Sequence, residues 1–368
     1  MITVKEVKTR KELKQFIAYP KQLYKKCPYF VPSLEQDEYQ TLTAHPAQSF
    51  CTVRLWMAYK NGKIAGRIGG IINNRYNELK NAKRIRFGWF DVDNDREVAE
   101  VLLQTVEKWG REENMLEISG PSRYSNMEKQ GMLIDGFHFL TTVSSDYNFP
   151  YYSLFMDELG YNKEEDYLQM KVEVKEIPEK IKELSRQLSE RYHIKIKKFQ
   201  NKEEIIDYAK KFFGALNESF VNVYNFIPLT DEEIDYVVKN NFSMVDKDLI
   251  VVLEDENNQV AGFSFSVPSL SKAFRKAKGK LFPFGWYPIL KALKKNDTID
   301  LYLTGVLPQW VKRGIHVLYH YQLHQNYLNK GYKYAITTQQ TESSQSYRIW
   351  ERYGGEVVSK RRCYVKPL

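Results

Sequence analysis

Apolar and polar positions change their spacing in a regular order along the 368 residues. Apolar–polar alternation over 2–7, 53–59, 64–73, 84–91 and 115–119 predicts strands, and a three-to-four spacing over 10–25, 96–112 and 150–159 predicts amphipathic helices. The later half runs through a similar order. It predicts a strand over 194–199, helices over 203–219 and 231–240, and hairpin strands over 249–254 and 259–267. A basic stretch follows, then strand 298–306, helix 313–329, strand 332–338, helix 344–353 and strand 356–364. Strands and helices interleaved in this way predict an α/β (α+β mixed) class, each half a mixed central sheet flanked by helices.

The two halves also share landmarks. "TVKEVKTRKELKQFI" (3–17) resembles "KIKKFQNKEEIIDYA" (195–209), and "NGKIAGRIGGII" around Gly66 resembles "NNQVAGFSFSV" around Gly262. "YYSLFMDELGY", ending at Gly160-Tyr161, echoes "SYRIWERYGGE" with Gly354-Gly355. The offsets are about 192, 196 and 194 residues, so three landmarks recur in order at nearly one spacing. The expected organisation is a first domain over 1–170, a charged linker helix over 171–193 and a second domain over 194–368. A length above that of a usual single core agrees with two domains.

Composition narrows the picture. An apolar fraction of 43% with 14% aromatic residues suits a packed globule, and no apolar stretch is long enough to span a bilayer. Cys27, Cys51 and Cys363 form no CxxC pair, and the charged start "MITVKEVKTRKELKQF" lacks the apolar segment of a secretory signal. A cytoplasmic protein with reduced thiols is the expectation. The net charge of +9 is concentrated: Ser271 to Lys295 holds eight Lys/Arg and no acid, leaving the rest near +1. Nucleic acid is therefore a poor partner for the chain as a whole. The same segment carries Leu281, Phe282, Phe284, Trp286, Tyr287, Ile289 and Leu290. That mixture suits a membrane-surface contact, a lid over an apolar substrate, or a helical flap on its own domain.

The strongest chemical signal is "DLYLTGVLPQWVKRGIHVLYHYQLHQ" (300–325), a strand that meets a Pro, a basic turn with one Gly, and a helix start. The first amides of a helix lack internal partners and sit at the positive end of its dipole, which makes such a junction an anion site by geometry. Gly314 lets a ligand approach the main chain, and Lys312 and Arg313 add positive charge. A plain basic helix cap is the alternative reading.

The run "VLPQWVKRGIHVLYHYQL", followed by a strand and then "IWERYGG", resembles the GCN5-related N-acetyltransferase (GNAT) superfamily. The match rests on Val306, Pro308, Arg313, Gly314, the Ile349–Gly354 helix end and the order of elements, and the repeat extends it to 1–170 as a degenerate copy. The resemblance implies two tandem acyl-CoA N-acyltransferase-like domains. It implies acetyl-CoA or another acyl-CoA as cosubstrate without a metal, with a small-molecule or peptide amine as acceptor. In that family the turn after the fourth strand holds the pyrophosphate, implicating Lys312, Arg313, Gly314, Ile315 and His316. The splayed fourth strand holds the pantetheine through its main chain, implicating Thr304, Gly305 and Val306. An acid early on that strand serves as base, and Asp300 stands there, fourteen residues before Gly314; a turn-capping Asp is the alternative. Alternation puts Asp300 on the face of Tyr302 and Thr304. Departures are Val311 for Gln/Arg, His316 for a small residue, and Trp350 where a proton-donating Tyr is common. Tyr347 and Tyr353 lie three residues to either side and could protonate the leaving thiolate, or be ordinary half-buried tyrosines.

The first half places Asp91, Asp93, Asp95 and Glu97 at the equivalent junction with no glycine, a pattern that caps a helix and repels a pyrophosphate. Its Gly-rich loop "GPSRYSNMEKQGMLIDGF" (120–137) offers Arg123, Asn126 and Glu128, read as solvated loop residues that could face a ligand. His316, His320 and His324 form a helix stripe, read as the edge of a packed helix rather than a metal site. The expected function is acyl transfer from CoA to an amine. The rivals are a ligand-binding or sensor protein that keeps the fold without the chemistry, and a surface protein working through 271–295.

Overall fold

The computed structural model describes every residue except Ser243, Met244 and Gln345, and of Asn241 only the backbone. The first half runs β1 (Ile2–Glu6), α1 (Arg10–Leu23), α2 (Glu35–Ala44), β2 (Cys51–Lys60), β3 (Lys63–Asn73), α3 (Asn74–Leu79), β4 (Arg84–Val92) and α4 (Arg96–Glu112). It continues with β5 (Glu117–Gly120), β6 (Met132–Asp135), α5 (Tyr151–Glu158) and β7 (Asn162–Glu173). The second runs α6 (Glu179–Tyr192), β8 (Lys195–Lys197), α7 (Lys202–Ser219), α8 (Asp231–Asn241), β9 (Ile250–Glu254), β10 (Val260–Pro268), α9 (Ser271–Ala277) and α10 (Trp286–Lys294). It ends with β11 (Thr298–Val306), α11 (His316–Lys330), β12 (Tyr334–Thr337), β13 (Gln340–Thr341), α12 (Tyr347–Arg352) and β14 (Glu356–Pro367).

Local chemistry fixes many boundaries. Thr9 with Glu12 opens α1, and Thr230 with Glu233 opens α8, each a reciprocal capping box that satisfies two orphan amides. Asn61 and Gly62 both take positive φ, the turn that matches strand twist in a two-residue hairpin, and so join β2 to β3.

The strands form one sheet in the order β1-β2-β3-β4-β5-β14-β7-β12-β11-β10-β9-β8. Read from either end, five strands of one half lead to a final strand contributed by the other. The last strand of the chain, β14, pairs antiparallel with β5 of the first half and along β7, while β7 pairs with β12 of the second half. Helices cover both faces. In the second half α7 and α8 pack Phe212, Phe213 and Ile234 on Phe263 and Phe265, and α11 packs Leu318 and Leu323 on Ile299 and Leu301. Each fully buried aliphatic or aromatic side chain of that kind stabilises by about 1.5–3 kcal/mol.

Both fourth strands carry the same irregularity. In β4, Trp89 and Phe90 together oppose Ile68 of β3; in β11, Tyr302 is an extra residue between Leu301, opposite Ser266, and Leu303, opposite Phe265. Such a bulge bends the strand and ends regular pairing beside it. In each half the parallel neighbour leaves at that point: β5 stays in register with β4 only to Arg86–Ser119, and β12 with β11 only to Leu301–Thr337. The α9–α10 arm occupies the same place between third and fourth strands that α3 occupies in the first half.

Candidate functional site

The bulge at Tyr302 shapes the second half's site. Beyond Leu301 the edge of β11 that faced β12 is released, the last bond across the gap being Thr338 N–H to the Leu301 carbonyl at 2.9 Å. Leu303, Gly305 and Val306 continue along β10 with that edge free of β12.

Asp300 sits immediately before the parting. It is 4% exposed, and among the described residues neither carboxylate oxygen has a hydrogen-bond partner, although the Ser269 side chain lies near enough to favour the ionised form. Burial penalises the charge and pushes its pKa up to about 7. Its cross-strand partner is Val267, which belongs to the core under α7 and α8. The Tyr302 hydroxyl is raised as well, by burial first and then by the charge of Asp300.

Simple alternation does not survive the bulge. Thr304 lies opposite Ser264 and Val306 belongs to the core under α11, whereas Leu303 packs with the α7 side. Thr304 therefore lies on the face opposite Asp300, and the expectation that they share a face is corrected. Gly305 is held by contact: a Cβ there would lie 2.5 Å from the Phe263 ring and 2.8 Å from the Ser219 hydroxyl.

After β11, Pro308 starts a 3-10 turn that runs to Arg313, Gly314 takes φ +75, and α11 begins at His316 rather than at 313. The left-handed residue breaks the turn and redirects the chain into the helix. Among the described residues the N–H groups of Gly314 and Ile315 make no intramolecular hydrogen bond. Lys312 and Arg313 make no ion pair among them either. The Arg313 guanidinium lies 4.6 Å from the Trp310 ring and 5.5 Å from that of Tyr192 on α6, a cation–π seat that leaves its charge uncompensated. His316 is half-buried, and its pKa is lowered by burial and by the charge of Arg352, so the ring is neutral near pH 7.

Tyr347 opens α12 and Tyr353 caps its end, both packed against the core under α11, with Trp350 buried between them. The structure thus places the two tyrosines and Asp300 on opposite faces of the sheet, with the parted strands between. His320 projects from α11 to this helix, its ring 4.8 Å from Trp350 and 6.1 Å from Tyr353. His324 instead bonds the Lys175 carbonyl.

The first half's junction is closed by its own residues. Asp95 caps α4 at Val98 and pairs with Lys60, which also holds Glu97 at 3.2 Å, and Asp93 accepts from the Tyr19 hydroxyl at 2.8 Å. Asp91 does not crowd this turn: it is buried, bonded to Arg67 at 2.7 Å and to Tyr24 at 2.9 Å. Of the loop residues read as solvated, Arg123 is buried and Asn126 and Glu128 are half-buried. Arg123 is 5% exposed and reaches Glu38 at 3.1 Å and Asp146 at 3.2 Å, while burial pushes Glu128 up to about 7. Nothing in the local pattern marks that network, because the partners of Arg123 come from α2, 85 residues earlier, and from a separate loop 23 residues later.

No protein-family profile matches the chain. Protein YghO of Escherichia coli is 27% identical over 306 residues, spanning 82% of this chain and 77% of its own length. A bacterial ceramide synthase of Caulobacter vibrioides is 28% identical over 387 residues, spanning 100% of this chain and 98% of its own. Among solved structures, the glucosamine N-acetyltransferase region of a fungal multi-domain β-N-acetylglucosaminidase superposes with a TM-score of 0.60 at 12% identity, over all of this chain and 38% of that one. A tandem GNAT protein from the clavulanic acid biosynthesis pathway gives 0.57 at 10% identity, over 100% and 98% of the two chains. A GCN5-related N-acetyltransferase of Sphaerobacter thermophilus gives 0.54 at 12%, over 100% and 95%.

Proposed function

Because the chain has the tandem GCN5-related N-acetyltransferase fold, we propose that it is an N-acyltransferase that moves an acyl group from CoA to an amine, with its site in residues 194–368. The observation that carries the proposal is Asp300: a buried carboxyl without a hydrogen-bond partner among the described residues, set where the bulge parts β11 from β12, fourteen residues before the Gly314 turn. The residues present fit an acyl-CoA. Free amides at Gly314 and Ile315 with the charges of Lys312 and Arg313 suit the pyrophosphate, and the released edge of β11 at Gly305 and Val306 suits an amide-bearing arm. Bound there, the thioester supplies an activated acyl group.

Asp300 takes the proton that the amine must lose as its nitrogen bonds to the acyl carbon. A pKa near 7 matches that task at neutral pH. When the carbon–sulfur bond breaks, the thiolate takes a proton from Tyr347, Tyr353 or water through the gap between the strands. The rest of catalysis is positioning. The whole-length similarity to a bacterial ceramide synthase favours a long-chain amine as acceptor and a fatty acyl thioester as donor.

The test is release of free CoA thiol from acetyl- and long-chain acyl-CoAs over a panel of amines. Asp300→Asn is expected to lose on the order of 100-fold or more in rate while calorimetry still shows CoA binding. An undiminished rate in that variant removes Asp300 from the mechanism. Binding heat without thiol release from any pair would leave a ligand-binding protein, and neither heat nor release overturns the proposal.

A further inference from the structure

The α9–α10 arm has a surface that the acyl-transfer reading does not use. Its inner side is settled: Ala273, Ala277 and Ile289 are buried against Leu34 and Leu270, with Phe274, Leu281 and Leu293 packed around them. Gly279 accepts from Glu35 N–H at 2.9 Å, which fastens the arm to the first half. Its tip is the opposite. Phe282 is 77% exposed, Phe284 78%, Trp286 43%, Tyr287 60% and Leu290 49%.

These side chains are not on a loose loop. Trp286 N–H bonds the Leu281 carbonyl at 3.0 Å, its indole N–H bonds the Pro283 carbonyl at 2.9 Å, and Tyr287 N–H bonds Phe284 at 3.2 Å. A Cβ at Gly285 would fall 1.8 Å from the Lys280 carbonyl oxygen, so the turn closes only around glycine. A tightly tied turn holds four aromatic rings in water, and contiguous apolar exposure of that kind marks an interaction surface. The same arm carries Lys272, Arg275, Lys276, Lys278, Lys280, Lys291, Lys294 and Lys295, all exposed, with no acid in the segment. Among the described residues only Lys272 of these has an ion-pair partner, Asp297.

We infer that this arm docks the protein on an anionic lipid bilayer, the aromatic tip entering the interface and the arm's basic residues meeting the headgroups. Aromatic rings favour the headgroup boundary, and each basic residue near an anionic surface adds on the order of 1 kcal/mol. A nucleic acid would use the charges but leave Phe282, Phe284 and Leu290 in water, which favours the bilayer. The arm's root gives the docking a purpose. Ser269, where it leaves β10, lies beside Asp300, so a lipid-borne substrate would meet the protein at the base of the candidate site. The docking itself rests on the arm alone and not on the acyltransferase reading.

The experiment is flotation of the full chain with vesicles of phosphatidylcholine alone and of phosphatidylcholine with phosphatidylglycerol. Flotation is expected with the anionic vesicles only, weakening as salt rises. The double variant Phe282→Ser/Phe284→Ser, which touches no core, should keep the parent melting point and lose on the order of tenfold or more in vesicle affinity. Failure to float with anionic vesicles overturns the inference, as does flotation indifferent to the double variant. Salt-sensitive retention on DNA without flotation would assign the arm to nucleic acid instead. A dimer that the double variant dissociates, again without flotation, would assign it to a second copy.

Discussion

Asp300 carries the most consequential charge in the candidate site, and its burial predicts a pH signature in stability as well as in rate. Its folded pKa of about 7 lies above the unfolded value, so the folded state holds the proton more tightly. The protein is therefore most favoured, with respect to this group, below about pH 4. It loses that stability as pH rises through 7. A shift of about three units corresponds to roughly 4 kcal/mol at full extent. Asp300→Asn should remove the loss: its melting point at pH 8 should exceed that of the parent, and the two should converge near pH 4, while acyl transfer slows by on the order of 100-fold or more. If the variant is no more stable at pH 8, the carboxylate is solvated or paired in solution. The strand that carries this residue was legible from its pattern, whereas the choice of Asp300 came from the resemblance to the GNAT superfamily, which sets an acid early on the fourth strand. The face of Thr304 was not legible, because the bulge at Tyr302 has no compositional mark; its counterpart in β4 falls at Trp89, with φ +46 and equally unmarked.

At the scale of elements, the contact of α11 with α12 is the most exposed to pH. His320 lies between them against Trp350, and burial first, with the neighbouring His316 and His324 adding to it, pushes its pKa down to about 3. A depressed value means stability that is complete above the unfolded pKa near 6.5 and is lost as pH falls toward 3. His320→Phe keeps a ring against Trp350 and removes the titration. It should gain on the order of 2–3 kcal/mol over the parent below pH 4, less than full burial implies because the ring keeps some contact with water. Denaturant titrations at pH 7 and pH 4 check this; equal losses in both proteins would show that His320 does not report on the helix contact. The sequence pattern found these helices because their apolar spacing is strong, but set the start of α11 three residues early. Lys312 and Arg313 read as a first helical turn, whereas Pro308 and Gly314 confine them to a separate 3-10 turn. β7 was missed for a different reason. Met170, Val172 and Val174 do alternate, but Lys171, Glu173 and Lys175 between them read as one charged linker with the helix that follows.

The whole molecule is held by strands that each half lends to the other, a feature that local pattern does not reveal because pairing partners lie far apart in the chain. Tyr364 meets Gly120 and Arg362 meets Asp166, so the last strand is central in space though last in sequence. Its side chains bind the seam. Arg362 grips Asp166 at 2.7 and 2.9 Å, and the buried Arg361 donates to the carbonyls of Gly131 at 3.2 Å and Asp146 at 2.6 Å, in the loop of the first half. Burial lowers the Arg361 pKa to about 10, which still leaves it charged at neutral pH. Deleting 356–368 would expose the edges of β5 and β7 together and strip those carbonyls of their donor, and open edges of that length invite aggregation. The shortened chain should therefore lose the cooperative melting of both halves, not of the second alone. Arg361→Met separates the seam from the strand: it keeps the backbone ladder and should cost about 2–4 kcal/mol through the two unpaired carbonyls. If the truncated protein still melts cooperatively with an intact first half, measured by hydrogen exchange over 51–120, then the lent strand is an attachment and not a part of that half's core.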